Sequence, residues 1–597
     1  MKKKLNFKNY PVLAAICFAG IMQVNAQSYE ETAKITAFDP VASLTDREAS
    51  AGYGRRAAMS VDGDYAVVGA SGVDVVESGT THTNAGAVYV LKKVSGVWET
   101  HQKLVADDPE QDAGFGVATA VHGDYIIVGA AYHDDPNHPN PIAINQGKVY
   151  IYELNSSTGN WDKKWDSYSP GSYHMGYFGQ GVDVYDDGTD VFAVIGQPRS
   201  YPMGHAYVYK RVSSTQWDLN STLTDGTAAV AGKNQYFGIS VAMHDDYLII
   251  GSSNGFVQGS TVDYGGRAYI FHYNGTDWNT TAEKLLIAGD QEKGDQFGYA
   301  VDITDGYAIV GAMYEKSPSY PGVSTGSGAA YIYERDVTVT NDWGQENKLT
   351  TFQRTGSELF GFSVSITPEF ALVGAPNDRY DFCGTAINNA GLAYLYRNDS
   401  QSNWPFIERL YASDATISDL YGYGVTIGGT ATEPLFCVGA IHEDHDNDGN
   451  NTITNSGSVY LYGAVSSGSG SLVFNPKPLS NDDPNYIIEM ELKEDTGIDL
   501  LGEELKFHED DKAKNQFNVA KVTDEVLTIN LTDAMWQSNK EETLKLEIIN
   551  ATGQMVYNTE VNSSRSQISI NNDFTKGVYI VRIQSKAEKQ VQKIVID

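Results

Sequence analysis

One short motif recurs seven times along the chain, and its spacing constrains the fold more than any other feature. Each copy is an apolar run that ends in a glycine and a small or polar residue. The seven glycines are Gly69, Gly129, Gly196, Gly251, Gly311, Gly374 and Gly439. Their spacings are 60, 67, 55, 60, 63 and 65 residues. A motif that returns at this interval is typical of a repeat architecture, in which every copy is one structural unit.

Three further motifs accompany each copy. An aromatic-glycine pair precedes the glycine strand, and a Gly-x-Ala/Val-Tyr-x-Tyr segment follows it. The pairs are Phe115-Gly116, Phe178-Gly179, Phe237-Gly238, Phe297-Gly298 and Phe360-Gly361, with Tyr53-Gly54 and Tyr423-Gly424 as variants. A tryptophan segment closes six units, at Trp98, Trp161, Trp217, Trp278, Trp343 and Trp404. Short alternating strands between Gly, Asn and Asp turns predict four strands per unit and an all-β protein.

The seventh unit ends after Tyr462 without a tryptophan segment. The segment Ala33–Ala37 resembles the strand that follows the tryptophan in the other units. We therefore predict a seven-bladed β-propeller over residues 30–464, in which the N-terminal strand completes the last blade and leaves no unpaired end. Glycines suit the crowded positions, and we expect the Tyr and Trp series to pack between blades as core.

The aromatic-glycine and Val-Gly-Ala motifs, with Leu372–Pro376 as the fullest copy, resemble the FG-GAP repeats of integrin α-subunit propellers and of secreted bacterial surface proteins. The resemblance covers roughly residues 30–464. It implies a seven-bladed propeller that binds proteins or glycans. Family members often carry a Ca²⁺ loop in the hairpin between the first two strands. That hairpin is short here, as in Asp62-Gly63-Asp64, so it predicts a tight turn instead of a cation site.

Two places keep part of a calcium-loop pattern. Residues 444–450 have acids at loop positions one, three and five and a glycine at six, which makes Asp444, Asp446, Asp448 and Asn450 candidate Ca²⁺ ligands. Asn455 stands where the bidentate closing Glu is expected, so a polar acidic loop is the alternative. Asp186 and Asp190 form a second, incomplete candidate. We expect no cofactor other than Ca²⁺, since the His442 and His445 spacing is a weak zinc pattern.

The first 26 residues have the form of a secretory signal peptide, with Lys2-Lys3-Lys4, an apolar run over 11–22 and Val24-Asn25-Ala26 before the expected cleavage. The apolar run is short for a membrane span. The net charge of -34 argues against nucleic acid and anionic membranes as partners, because both would be repelled. We expect a secreted or outer-surface protein that is monomeric and has no membrane span.

The composition changes after the propeller. Residues 465–516 contain a Ser-Gly linker and an acidic region. Residues 517–597 regain strand alternation and predict a small immunoglobulin-like β-sandwich. The order Ile-x-Asn-x-x-Gly-Gln-x-Val-Tyr, from Ile548, and Gly577–Ile583 resembles the type A sorting domain of the type IX secretion system. That resemblance implies export by the type IX machinery; an ordinary accessory module is the alternative.

Two function classes remain open. We favour a non-catalytic protein that binds an extracellular protein or polysaccharide through the long loops after each Gly-Ala strand, which vary in sequence and lie on one side of the ring. The alternative is a secreted polysaccharide hydrolase or lyase with its site in the central channel. We assign no catalytic residue and no ligand-contacting residue. Cys437 is expected to be a buried free thiol, with a Cys383–Cys437 bridge as the alternative.

Overall fold

A computed structural model describes the chain over residues 29–39, 44–45, 52, 54, 59–140, 144–171, 174–200, 203–226, 234–255, 264–316, 326–336, 342–351, 356–382, 385–399, 403–444 and 455–464, and over the terminal strands given below. The chain divides into two compact units, one formed by Tyr29–Ala464 and the other by Met1–Ser28 with Val465–Asp597. Within the described residues, all regular structure is β-strand, and none forms a helix that could span a membrane. The predicted all-β class is confirmed.

The first unit contains seven antiparallel sheets of four strands, which we call blades 1 to 7. Blade 1 comprises Met59–Asp62, Tyr65–Ala70, Ala87–Val94 and Val97–Leu104, and blade 2 comprises Phe115–His122, Tyr125–Ala130, Lys148–Leu154 and Trp161–Tyr168. Blade 3 comprises Gly181–Asp186, Val191–Gln197, His205–Ser213 and Gln216–Leu223, and blade 4 comprises Phe237–His244, Tyr247–Ser252, Arg267–His272 and Lys284–Leu286. Blade 5 comprises Phe297–Thr304, Tyr307–Ala312, Ala329–Arg335 and Trp343–Leu349, and blade 6 comprises Ser363–Ile366, Phe370–Ala375, Leu392–Arg397 and Phe406–Leu410. Blade 7 comprises Tyr421–Gly429, Pro434–Ala440, Ser458–Ala464 and Tyr29–Ile35.

The blades form a closed ring. The first strand of each blade contacts the first strand of the next, and Tyr421–Gly429 of blade 7 contacts Met59–Asp62 of blade 1. The first strands therefore surround the central axis, and the fourth strands lie outermost. This is the seven-bladed β-propeller that the repeat spacing predicts.

The outermost strand of blade 7 comes from the start of the unit. Tyr29–Ile35 pairs antiparallel with Ser458–Ala464, from Tyr29 opposite Ala464 to Ile35 opposite Val459. Tyr29 also takes the place of the missing tryptophan. Its ring meets Phe370 of blade 6 edge-on, with centroids 5.8 Å apart. Trp404 meets Tyr307 of blade 5 in the same way, at 5.3 Å.

Paired glycines explain why the aromatic-glycine and Gly-Ala motifs occur together. A Cβ built on Gly311 of blade 5 would lie 2.0 Å from the carbonyl oxygen of Gly361, which begins blade 6. Gly361 has φ +85°, and Phe362 N–H donates to Leu359 O across it. This is the third position of a type II turn, where glycine is required. The two motifs therefore form the closest backbone contact between neighbouring blades.

The same geometry corrects one sequence assignment. Gly422, not Gly424, has the turn conformation, with φ +84°. Its carbonyl oxygen would lie 2.0 Å from a Cβ on Gly374 of blade 6. The pair of blade 7 is therefore Tyr421-Gly422, and the predicted Tyr423-Gly424 is wrong. The repeated Tyr-Gly in this segment offered two registers that sequence alone did not separate.

The aromatic series forms the core between blades. All six motif tryptophans are buried, with exposed fractions between 1% and 9%. Trp161 of blade 2 meets Tyr65 of blade 1 edge-on at 5.3 Å, and Trp343 of blade 5 meets Tyr247 of blade 4 at 5.7 Å. Edge-on aromatic pairs contribute beyond the area that they bury. The motif tryptophans are therefore structural, as the sequence predicts.

The second unit is also built of strands. One sheet joins Leu5–Lys8, Asn485–Glu491 and Val473–Asn475. A second joins Phe517–Thr523, Val526–Leu531 and Gln567–Asn571, and a third joins Met555–Val561, Leu544–Asn550, Gly577–Gln584 and Lys589–Ile596. The strands beyond residue 517 follow the alternation seen in the sequence. The immunoglobulin-like sandwich itself stays a prediction.

Candidate functional site

The propeller has two unlike faces, and the longer loops lie on one of them. We call this the loop face. It carries the connections between the second and third strands of each blade, residues 71–86, 131–147, 198–204, 253–266, 313–328, 376–391 and 441–457. The segments that enter each first strand, such as 105–114, reach the same face. The opposite side, the hairpin face, carries tight turns such as the one between Asp62 and Tyr65.

A belt of polar groups lies beneath the loop face, around the motif tyrosines of the third strands. In blade 2, the Tyr150 hydroxyl donates to Asp108 Oδ1 at 2.7 Å, and Lys148 Nζ lies 2.7 Å from Asp108 Oδ2. In blade 5, Tyr331 donates to Asp290 at 2.8 Å, and Lys348 Nζ lies 2.5 Å from the same carboxylate. Each acid lies on the segment that runs from the outermost strand of the preceding blade into the blade of its tyrosine. The belt therefore ties neighbouring blades together beneath the loops.

Blade 7 repeats the arrangement, and in blade 6 the acid comes from the loop after the motif glycine. Tyr394 donates to Asp378 at 2.5 Å, and Tyr460 donates to Asp414 at 2.7 Å. Lys34, on the N-terminal strand, lies 2.6 Å from Asp414 Oδ2. Blade 3 has a neutral version, in which Tyr207 donates to Gln197 Oε1 at 3.2 Å.

Within the belt, the pKa values of Asp108 and Asp414 are lowered and that of Asp378 is raised. Burial opposes ionisation of Asp108, but Lys148 and the Tyr150 hydroxyl hold the pKa of that carboxyl below its usual range. Asp414 behaves in the same way beside Lys34 and Tyr460, so its pKa is also lowered. At Asp378, burial outweighs the Tyr394 hydrogen bond and raises the pKa to about 7.

In five blades the fourth residue after the motif glycine is a buried polar residue, His133, Ser200, Glu315, Asp378 or Glu443. Blades 1 and 4 have Val73 and Gly255 at this position. Glu315 lies 2.7 Å from Lys348 Nζ, and Glu443 lies 3.4 Å from Lys34 Nζ. Because these side chains are fixed by buried polar contacts, the five loops leave their blades in a defined direction.

The side chain of the third residue after the motif glycine points away from the polar belt. In six blades its main-chain N–H donates to the carbonyl two residues before the aromatic-glycine pair of the same blade, at 3.1–3.2 Å. The six residues are Tyr132, Arg199, Asn254, Tyr314, Asn377 and His442. Their side chains are half-buried or exposed. The backbone is thus the same in six places, while the side chain differs, and the loop face presents a ring of unlike groups around the channel mouth.

A second set of residues completes this mouth. The residue before each aromatic-glycine pair is in the left-handed region, including Tyr177 and Tyr236 at φ 57°, Leu359 at φ 59° and Leu420 at φ 58°. Large side chains rarely adopt this conformation, which must be held by surrounding hydrogen bonds. Tyr177 N–H donates to Asn145 O at 3.1 Å, for example. These side chains are half-buried beside the six variable positions.

One arc of the mouth is aromatic and cationic. Tyr132 meets Tyr177 edge-on at 5.3 Å. The Arg199 guanidinium lies 4.7 Å from the Tyr177 ring centroid and 5.5 Å from that of Tyr236. Sequence reasoning missed this group, because its four members are spread over more than 100 residues and meet only through the blade repeat. Two fixed positions in the repeat are the signals that could have found it: three residues after the motif glycine for Tyr132 and Arg199, and one residue before the aromatic-glycine pair for Tyr177 and Tyr236.

The structure describes one of the four main calcium candidates. Asp444 Oδ1 accepts a hydrogen bond from Asn455 N–H at 2.6 Å. Asp74 and Asp134, also five residues after a motif glycine, accept from Asn84 and Asn145 at 2.8 and 2.5 Å. The Asp444 carboxylate therefore closes its loop in the same way as two loops without the calcium pattern. Asp446, Asp448 and Asn450 lie outside the described residues, as does His445.

Asp186 and Asp190, the second calcium candidate, take part in two separate interactions. Asp186 Oδ1 accepts from Gly188 N–H at 2.8 Å, within a turn. Asp190 lies 2.6 Å from Lys210 Nζ. Within the described ranges, no cluster of three His, Cys, Asp or Glu residues is arranged to hold a metal ion. The Ca²⁺ assignment at either place stays a prediction.

Two carboxylates, those of Asp183 and Asp302, lie within the first strands and bond to a neighbouring blade. Asp183 Oδ2 accepts from Met243 N–H of blade 4 at 2.7 Å, and Asp302 Oδ2 accepts from Ile366 N–H of blade 6 at 2.8 Å. Burial raises the pKa of Asp183 to about 7, with the Asp302 charge adding to it, and burial raises the pKa of Asp302 to about 6. Since both oxygens hold main-chain donors of a neighbouring blade, these acids join first strands.

Two further sequence features bear on chemistry. Gly322-Val323-Ser324-Thr325-Gly326 has the spacing of a serine-hydrolase elbow, although the sequence analysis assigns no catalytic motif. Residues 322–325 lie outside the described residues, and the motif carries catalytic meaning only on a strand-to-helix turn. Cys437 is buried, and burial raises the pKa of its thiol. Cys383 lies outside the described residues, so the alternative bridge stays open.

Comparison with known proteins agrees with this architecture. The family model for the FG-GAP repeat matches residues 98–152, 280–333 and 343–396, and the model for a secretion system C-terminal sorting domain matches residues 499–597. Each FG-GAP match runs from the last strand of one blade through the third strand of the next. The sorting-domain match begins before the predicted boundary at 517. No curated protein matches the chain in sequence.

Among solved structures, the crystal structure of Saccharomyces cerevisiae Sqt1 is similar to this chain at 10% sequence identity and a TM-score of 0.37. The match covers 74% of this chain and 100% of that chain. The propeller assignment rests on the strand order of the blades and on the repeat matches.

Proposed function

This chain is an FG-GAP-repeat β-propeller protein with a C-terminal sorting domain, secreted or held at the outer surface, and we propose that it binds an extracellular protein or glycan through its loop face without catalysis. The sorting domain supplies export through the type IX machinery. The propeller supplies the binding surface.

The observation that supports this proposal is the ring of six variable positions. Tyr132, Arg199, Asn254, Tyr314, Asn377 and His442 share one backbone hydrogen bond but are of four different residue types. A purely structural position in a repeat needs the same residue type each time, as the motif glycines illustrate. A rigid backbone with unlike side chains is the usual design of a recognition surface.

The channel carboxylates bear on the alternative, a hydrolase or lyase. Glycoside hydrolysis requires two carboxyl groups, one with a raised pKa that acts as general acid and one ionised as nucleophile or base. Asp183 and Asp302, however, each accept a main-chain N–H of the neighbouring blade at Oδ2 and one of their own strand at Oδ1. This use favours a structural role, and we propose that the channel has no catalytic function.

The test is a panel of glycans and extracellular proteins, read for retention and for turnover with the full mature chain. Retention without turnover is the expected result. The Tyr314→Ala variant should weaken retention, because this exposed ring stands on the loop face. Val97→Ala is the matched control, since Val97 is exposed on an outer strand near the hairpin face. Turnover that Asp302→Asn abolishes would overturn the proposal.

A further inference from the structure

The arc formed by Tyr132, Tyr177, Arg199 and Tyr236, which we call the tyrosine-arginine arc, differs from the rest of the mouth in its charge. Several basic side chains of the propeller are paired with acids, as Lys148, Lys210 and Lys348 are. Arg199 is exposed, and among the described residues it makes no ion pair. Among the six variable positions of the mouth, it is the one arginine or lysine.

The surroundings of Arg199 hold it in place. Its main-chain N–H donates to Gly176 O at 3.2 Å, and buried residues flank it on both sides, Pro198 and Ser200. The Tyr177 and Tyr236 rings contact the guanidinium from two blades, and both tyrosines are fixed in left-handed backbone. A guanidinium placed against aromatic rings keeps its planar fork of donors and loses little freedom on binding. The group is therefore prepared for a planar, bidentate acceptor.

Two chemical requirements follow for a ligand. A carboxylate matches the guanidinium fork in geometry and charge. The half-buried tyrosine rings on either side offer amphipathic surfaces, which suit the apolar faces of sugar rings. The net charge of -34 sets a third requirement, because it repels a densely charged polyanion.

We propose that the tyrosine-arginine arc binds a carboxylated sugar within an otherwise neutral glycan, with Arg199 pairing with the carboxylate and the tyrosines packing against the flanking sugars. This inference rests on the proposed loop-face function and names its ligand class. A uniformly charged polysaccharide is disfavoured by the protein's own charge. An acidic peptide would meet the guanidinium but would not need the rings.

The experiment measures retention of glucuronoxylan, whose glucuronates are separated by neutral xylose, by the full mature chain. The matched ligand is the same polymer after chemical reduction of its carboxyl groups. We expect the reduced polymer to bind roughly 10-fold or more weakly, the loss typical of a charge-assisted hydrogen-bond pair. Polygalacturonate should bind more weakly than glucuronoxylan at low salt, because its charges are contiguous.

Variants locate the site. Arg199→Gln should lower glucuronoxylan affinity as much as carboxyl reduction does, and Arg199→Lys should recover little of it, since lysine lacks the planar fork. Arg335→Gln is the matched control, because Arg335 lies 4.3 Å from the Tyr247 ring but belongs to the hairpin side of blade 5. It should bind as the unmodified protein does.

The outcomes separate this inference from the proposed function. Equal binding of native and carboxyl-reduced polymer, wild-type affinity in Arg199→Gln, or equal competition by poly-glutamate would overturn the carboxylated-sugar site. If another panel glycan or protein is retained and Arg199→Gln has no effect, the loop-face function stands and this inference falls. If nothing in the panel is retained, both fall.

Discussion

Lys34 Nζ lies 2.6 Å from Asp414 Oδ2, although the two residues are 380 positions apart. Lys34 is on the strand Tyr29–Ile35, and Asp414 is on the segment that enters blade 7. Glu443 and the Tyr460 hydroxyl join the same cluster. The residue that completes the polar belt of the last blade is therefore supplied by the first strand of the propeller.

Replacement of Lys34 tests this closure. Lys34→Met leaves the Asp414 and Glu443 carboxylates beneath the loop face without their shared cation, and the Glu443 side chain is fully buried. Removing one partner of a buried ion pair costs about 3–5 kcal/mol. We expect a loss of that order in the free energy of unfolding, measured by denaturant titration.

The control is Lys284→Met, which removes a 3.4 Å pair with Asp342 between partly exposed side chains. Pairs of this kind contribute roughly 0–1 kcal/mol. Similar losses in the two variants would show that Lys34 is not specially important for closing the ring.

The glycine pairs between blades predict a large effect from one methyl group. Gly311→Ala places a Cβ against the backbone of Gly361, which no side-chain rotation can relieve. Overpacking of this kind costs about 1–3 kcal/mol or more. Gly344→Ala, in the outer strand of the same blade, meets nothing within 4 Å. Thermal unfolding should show a clear loss for the first variant and little change for the second.

Stability should rise on mild acidification. Burial raises the pKa of Asp183, Asp378 and Asp419 to about 7 and that of Asp302 to about 6. In the unfolded chain these groups titrate near 4. Between these values the folded protein binds more protons, so the free energy of unfolding falls as pH rises from about 4 to 7.

Below pH 4, the carboxyl groups with lowered pKa values dominate the pH dependence of stability. Asp108, Asp290 and Asp414 have lowered pKa values, and they lose their stabilising pairs when they protonate. The melting temperature should therefore be highest near pH 4 to 5. Asp302→Asn should flatten the slope between pH 4 and 6, and an unchanged slope would contradict the assignment to buried carboxyls.

The calcium prediction is tested at the loop that contains it. If residues 444–450 bind Ca²⁺, the ion should raise the melting temperature, and Asp446→Asn with Asp448→Asn should remove that increase. Asp134→Asn is the control, because Asp134 closes the corresponding loop of blade 2 without a calcium pattern. A Ca²⁺ effect that survives in the 446/448 variant would place the ion elsewhere.

Much of the architecture could be predicted from the sequence, because glycines recur at fixed positions of the blade repeat. A glycine whose Cβ would meet the next blade at 2.0 Å tolerates no replacement, so Gly311 and its equivalents mark every blade. The Tyr421-Gly422 register was missed, since two adjacent Tyr-Gly pairs fit the motif and only the turn conformation separates them.

The candidate site was harder to predict for a physical reason. Recognition residues in a repeat protein are the ones that do not repeat, so they carry no periodic signal of their own. Tyr132, Arg199 and Tyr236 become neighbours because three blades bring them to one mouth. Tyr29, which replaces the seventh tryptophan, was missed because it lies far in sequence from the other strands of blade 7.

The most direct measurement of the central claim is hydroxyl-radical footprinting of the full mature chain, free and in complex with a glycan or protein retained from the panel. Loop-face binding predicts protection at Tyr132, Tyr177, Tyr236 and Tyr314, while Val97 and Val212 keep their reactivity. Protection confined to the hairpin side, with Tyr132 and Tyr314 unchanged, would contradict the account.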